Sequence, residues 1–191
     1  MTVARKLTIT VLIVGLLAGV AALGAYSAFS ATTSNTGNSF ASGTVAIGDN
    51  DGGSAALYTA ANQKPGDSVE SCIRVTYTGS LASAVKLYAS SGITNGARFN
   101  LKVERGTQTT GVFPACGNFA ATSTAYDGAL GSLPASYASG LDGKNAAGAW
   151  ATNDVVAYRF TVTQNDDPTP NAHTSALSSG SHDFTWEARN N

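Results

Sequence analysis

The side chains able to do chemistry are few and scattered. Of the two histidines, His173 lies in a Pro/Asn-rich loop and His182 at the start of a strand. Zinc peptidases set two His one helical turn apart with a Glu beside them, so that both rings and the general base converge on one metal. No His-Glu-x-x-His occurs here, and the pair reads as exposed, unrelated histidines. Asp49-Asn50-Asp51-Gly52 has the opening of a calcium loop, yet Ala60 stands at the twelfth position, where a bidentate Glu is required. A solvated turn fits better. Asp166 and Asp167 could share a cation with Asp183, but adjacent acids in a loop ordinarily face water. No Gly-x-Ser-x-Gly marks a nucleophile on a strand-to-helix turn. Trp150 and Trp186 carry rings on which a sugar can stack. Trp186 alternates with core residues and belongs inside, which leaves Trp150 as the open question. No cofactor site emerges.

The elements that must position these groups begin with Leu7 to Gly48, a stretch without one charged side chain. Arg5 and Lys6 precede an apolar run to about Leu23, and Ala25 and Ser27 fill the small positions before a cut at Ala28. These are the three parts of a secretory signal. A second register, Ala28 and Ser30, cuts at Ala31. Leu7 to Phe29 is also long enough for an uncleaved anchor, which needs ~20 apolar residues; Gly15, Gly19, Gly24 and the small-residue site favour cleavage and no lasting membrane anchor. Residues 1–27 are thus expected to be a signal peptide, 28–39 an arm and 40–191 one domain. Loss of Arg5 and Lys6 from the 11 basic side chains leaves nine against 12 acids, a net −3. No basic run suggests a nucleic-acid partner.

Residues 28–39 are almost all Ala, Ser, Thr, Asn and Gly, with Phe29 the large apolar group and Ala31 and Thr33 among the small ones. Such a segment buries too little to offset its own ordering, so disorder in a lone molecule is expected. Phe40 to Ile47 reads as the first strand, and Ala56 to Ala60 as a weak second one. Lys64-Pro65-Gly66-Asp67 is a type II turn by its Pro-Gly centre. Val69, Ser71, Ile73, Val75 and Tyr77 then alternate with Cys72, Arg74 and Thr76. Cys72 therefore points away from the core, and a partner must cross the outside of the sheet or an edge. Cys116 is the one available, and in an exported chain an even pair is usually a disulfide. Two buried thiols are the alternative.

Val85, Leu87 and Ala89 form a further alternating strand, as do Phe99, Leu101 and Val103, then Val156, Tyr158, Phe160 and Val162, and finally Phe184 and Trp186. Between Gly106 and Asn153 the period is lost. That region is expected to be a long crossover with a short helix near Asp127 to Leu133, pinned at its start by Cys116. Seven or eight short strands with Gly-rich connections predict an all-β, jelly-roll-like or immunoglobulin-like β-sandwich.

The order of signal peptide, Ala28-Phe29 junction, Phe-Ala-Ser-Gly-Thr (40–44), Lys-Pro-Gly-Asp (64–67), Thr-Gly-Ser-Leu (78–81) and a terminal Phe-Thr-Trp-Glu-Ala strand (184–188) resembles the TasA/camelysin family. The similarity spans most of the chain but not residues 106–153. The resemblance implies processing by a dedicated signal peptidase, a jelly-roll domain and self-association into biofilm matrix fibres, the N-terminal arm of one subunit completing a sheet in the next. Phe29, Ala31, Thr33 and Phe40 would then belong to the donor strand. The expectation is a secreted, non-catalytic structural protein of the extracellular matrix or cell surface. A camelysin-type metal-dependent endopeptidase and a monomeric glycan-binding surface module are the alternatives.

Overall fold

A computed structural model describes residues 3–24, 39, 41–53, 56–89, 92–144, 148–165 and 177–190. The expected cleavage residues Ala25, Ser27 and Ala28, the arm residues Phe29, Ala31, Thr33 and Phe40, and also His173, Asp166 and Asp167 lie outside them. The chain divides into two units, Met1–Ala41 and Ser42–Asn191.

The first unit holds one helix, α1 (Val3–Gly24). Thr8 and Thr10 turn their hydroxyls back to the carbonyls of Ala4 and Lys6, both at 2.9 Å, so neither needs water. The described apolar side chains, Leu7 to Leu17, are exposed around the helix. Among the described residues no helix is long and apolar enough to cross a membrane.

The second unit is a β-sandwich of eight strands: β1 (Ile47–Asp49), β2 (Ser68–Tyr77), β3 (Ala84–Ala89), β4 (Phe99–Gln108), β5 (Phe119–Ala129), β6 (Leu141–Asp142), β7 (Val155–Gln164) and β8 (Phe184–Arg189). One sheet runs β1-β2-β7-β4-β5 and the other β6-β3-β8, with every pairing antiparallel. The inward sets are those the alternation predicts: Ile73, Val75 and Tyr77 of β2, Val85, Leu87 and Ala89 of β3, Leu101 and Val103 of β4, and Tyr158 and Phe160 of β7 are all buried. The sheets meet through aromatic rings. Tyr158 packs on Trp186 with centroids 5.3 Å apart, and Phe160 on Phe184 at 4.7 Å.

Three expectations need correction. The first strand does not begin at Phe40: β1 spans only Ile47–Asp49, and residues 42–46 are held as coil against the 78–81 loop, with Thr78 N bonded to Ala46 O (2.9 Å) and Leu81 N to Thr44 O (3.1 Å). Small residues there offer backbone contact but too little side chain for a ladder. Residues 56–60 are not a strand either; they are coil, with Leu57 packed against the core. Residues 106–153 are not a mere crossover. β4 runs on to Gln108, turns through residues 109–118, and returns as the eleven-residue β5. Of the short helix, the structure has 3-10 turns at Leu130–Ser132 and Tyr137–Ser139. β5 is an edge strand with little of either face buried, which is why Phe-Ala-Ala-Thr-Ser-Thr-Ala shows no period of two. At Gly106 a Cβ would stand 2.1 Å from Ala120 O, so only glycine permits the pairing with β5 there.

The Pro-Gly turn is as expected. Gly66 has φ +89, and Asp67 N closes the turn on Lys64 O at 3.0 Å.

Candidate functional site: an open strand edge above an apolar groove

Sheet edges expose backbone N–H and C=O groups that pair with any extended segment, so folded proteins shorten, bend or cover them. Each sheet of the sandwich ends in two strands. β1 has three residues and β6 two. β5 is long, but its register against β4 shifts at Val103/Glu104 and again at Arg105/Gly106, and such bulges twist an edge out of plane. The β2 edge beyond β1 is closed by non-strand partners: Arg74 N bonds Asn50 Oδ1 at 2.7 Å, and Cys72 N bonds Pro114 O at 2.8 Å. β8 is the exception, six residues paired with β3 without a register break.

Which groups β8 leaves free follows from β3. Gly143 N donates to Val85 O (2.8 Å) and Ala89 N to Pro134 O (2.9 Å), so the odd residues of β3 turn their backbone away from β8. The even ones, opposite Thr185, Glu187 and Arg189, therefore hold β8. Phe184, Trp186 and Ala188 turn their N–H and C=O groups to the open edge.

Below this edge lies a groove of about 770 Å³. Its floor is apolar, made by Val69, Ile73, Phe99, Phe113, Val162 and Trp186. A smaller cleft of about 270 Å³ continues it between residues 47–49 and 184–186. Phe113 reaches the groove because its loop is tied down. Cys116 is bonded to Cys72 of β2, and Gln108 Nε2 donates to Ala115 O (2.8 Å) and Gly117 O (3.1 Å).

The rim is polar. Asp49 has its carboxyl pushed up by burial, partly countered by the Asp51 backbone N–H, with the Asp51 carboxylate adding to the rise. Asp49 Oδ1 accepts from Asp51 N at 3.0 Å, and Asn50 caps β2, so the Asp-Asn-Asp-Gly segment is occupied as a turn. His182 Nδ1 lies 3.1 Å from Gly180 O, an acceptor only, so Nδ1 carries the proton and Nε2 accepts the Tyr58 hydroxyl at 2.5 Å. Burial pushes the Tyr58 hydroxyl well above the usual phenol range.

Of the residues singled out in the sequence, Cys72 and Cys116 are joined as a disulfide. Trp186 is half-buried against the core. Trp150 is 1 % exposed and bridges Ser83, with Trp150 N to Ser83 O at 2.7 Å, so it offers no face to a sugar. Among the described residues no group of three or more His, Cys, Asp or Glu is placed to hold a metal ion. Sequence reasoning missed Phe113 and the Tyr58–His182 pair. Phe113 stands beside Pro114 in the stretch with no period, and nothing local links Tyr58 to a histidine 124 residues away.

Fold and groove define an all-β sandwich in which, among the described residues, the β8 edge has no second strand partner. No protein-family model matches this chain, and no curated protein sequence does either.

Proposed function

We propose that the protein is an exported structural subunit of a matrix or surface fibre, without catalytic activity, joined to copies of itself by strand donation. In this reading a signal peptidase removes residues 1–27, residues 28–39 become the free arm, and the arm lies along β8 of a neighbour. The observation that carries it is the edge of β8, in unbroken register with β3 and without a second strand partner among the described residues, above an apolar groove. Strand addition uses backbone groups, so it accepts an arm of almost any sequence. An arm without charges enters without stripping water from ions. Phe29 and Phe40 supply rings for an apolar floor. The resemblance to the TasA/camelysin family points the same way.

Residues 42–46 leave the sandwich beside residues 77–81, at one end of β2. The groove runs from Val69 and Ile73 to Asp49, and its continuing cleft reaches Ile47 beside that root. Donation of the arm to a neighbour is a heterologous contact and propagates unless it closes into a ring.

Ordering about six arm residues costs roughly 6–12 kcal/mol. Edge hydrogen bonds return a net ~0.5–1.5 each, and burial of Phe29 ~1.5–3. The terms nearly cancel, so the ring in the groove decides the sign. Neither a peptidase nor a glycan-binding module draws support from the described side chains: His182 is engaged by Tyr58, and Trp150 is buried.

The test compares a chain beginning at Ala28 with its Thr33→Pro variant by electron microscopy, with N-terminal sequencing of the same sample. Proline removes a donor and blocks a continuous strand. Filaments from the first and monomers from the second are expected; equal polymerisation removes the arm from the mechanism.

A further inference from the structure

The groove below β8 has a wall that belongs to neither sheet. Residues 56–63 line it, and they have the attachments of a cover rather than of a strand. Among the described residues no backbone hydrogen bond joins residues 56–63 to any strand. Only Leu57 and Tyr58 are half-buried; Ala56 and every residue from Thr59 to Gln63 are exposed. Leu57 packs on the core margin. Tyr58 sets its ring 6.2 Å from that of Phe184 and 5.8 Å from that of His182, and its hydroxyl on His182 Nε2. Phe184 is the first β8 residue whose backbone faces the edge. The segment is bounded by turns at Gly52-Gly53 (φ +78 and +87) and Gly66 (φ +89), conformations that glycine adopts freely.

We infer that residues 56–63 are a displaceable strap, held by Leu57 and Tyr58, that closes over the groove and the start of β8 at Phe184 in the lone molecule and is lifted by an incoming strand. This rests on the strand-donation reading for the identity of the strand that lifts it, but not for the strap itself. A covered edge keeps unassembled molecules from pairing with wrong partners, a standard protection for exposed strands. The cover is weak by construction. A segment with few buried contacts and no backbone ladder opens locally without unfolding the domain. The strap and the arm therefore compete for one place, and the grip of Tyr58 sets how readily assembly begins.

The experiment is limited proteolysis with a protease of broad specificity on the dilute, monomeric chain beginning at Ala28, with Tyr58→Ala and the milder Tyr58→Phe. Tyr58→Ala should speed cleavage within residues 56–63 by about tenfold or more, and Tyr58→Phe, which loses only one hydrogen bond, by roughly two- to tenfold. Cleavage within β2 and β7 should stay slow, which shows that the sandwich is intact. The lag before filament growth should shorten in the same order. Unchanged cleavage of residues 56–63 in both variants overturns the strap. Faster cleavage there with no filaments from any variant retains the strap and overturns strand donation, so the two ideas fail separately.

Discussion

Cys72 and Cys116 are bonded across the outer face of the five-stranded sheet, with Cα atoms 5.0 Å apart and 44 residues between them in sequence. The bond ties the β4–β5 loop back over β7 to β2, two strands away. Its first effect is on the unfolded chain, where a closed loop of this length is worth about 4 kcal/mol in the chain-entropy model. Its second is local, since the loop carries Phe113 into the groove. Cys72→Ser with Cys116→Ser should lower unfolding free energy by about 2–4 kcal/mol in urea titrations. The same protein should bind more of a hydrophobic dye, because Phe113 loses its tether.

Arg159 and Glu104 form the hub of the same outer face. Arg159 donates from Nε (2.8 Å) and Nη2 (2.6 Å) to Glu104 Oε2, while Lys102 Nζ stands 3.0 Å from Oε1 and Glu70 Oε2 3.5 Å from Arg159 Nη1. The guanidinium lies 4.9 Å from the Phe119 ring. Burial raises the Glu104 carboxyl, but hydrogen bonds from Lys102 and Arg159 and their charges outweigh it and hold it below its ordinary value. A depressed folded pKa means stability that is complete above about 4.5 and is lost as pH falls through the folded value. Glu104→Gln should cost about 1.5–3 kcal/mol at neutral pH. In denaturation series run at falling pH, wild type and variant should converge; parallel curves would show that Glu104 is not the group titrating.

How much of this was legible depends on which face each residue serves. Strands buried on one face wrote a period of two into the chain, so β2, β3, β4, β7 and β8 and their inward sets could be read directly. The outward parity of Cys72 even located the disulfide on the correct side of the sheet. β5 could not be read, because an edge strand with little of either face buried is free to use Ala, Ser and Thr, and those residues look like loop. Residues 56–60 erred in the opposite direction: Leu57 and Tyr58 suggest a strand, yet they serve to fasten a coil to the core margin. The groove was invisible for a different reason. It is defined by a missing neighbour, and no local pattern records which strand of a sandwich lacks one.

Tyr58 and Tyr158 set the alkaline limit. Tyr158 is fully buried beneath Trp186 and donates to Gly143 O at 2.5 Å; burial is the leading cause that holds both hydroxyls well above the usual phenol range. The unfolded chain releases these protons near pH 10 and the folded one does not. Their contribution is therefore complete below about pH 10 and falls above it, by up to ~1.4 kcal/mol per pH unit for each tyrosine. Thermal unfolding midpoints should drop across this range while tyrosinate absorbance lags behind that of the denatured protein. Tyr58→Phe should make the decline shallower without removing it, since Tyr158 remains.

Trp150 provides the sharpest contrast between a binding residue and a structural one. It lies between two loops at the Tyr77 end of the sandwich, paired with Ser83 through Trp150 N–Ser83 O (2.7 Å) and Ser83 N–Trp150 O (3.2 Å). Ser83 Oγ in turn meets the Tyr77 hydroxyl at 2.7 Å, and Lys144 Nζ stands 5.5 Å from the indole. Gly143 packs tightly beside it: a Cβ there would be 3.0 Å from the indole edge, so the ring would have to shift. A ring so enclosed contributes by filling space, and its removal leaves a cavity that these backbone-paired neighbours cannot close. Trp150→Ala should cost about 3–5 kcal/mol, with Trp150→Phe intermediate. Indole fluorescence in a Trp186→Phe background should resist aqueous quenchers and stay unchanged on addition of oligosaccharides. Ready quenching, or a sugar-dependent shift, would mean that the 141–154 region opens in solution and would return Trp150 to the binding surface.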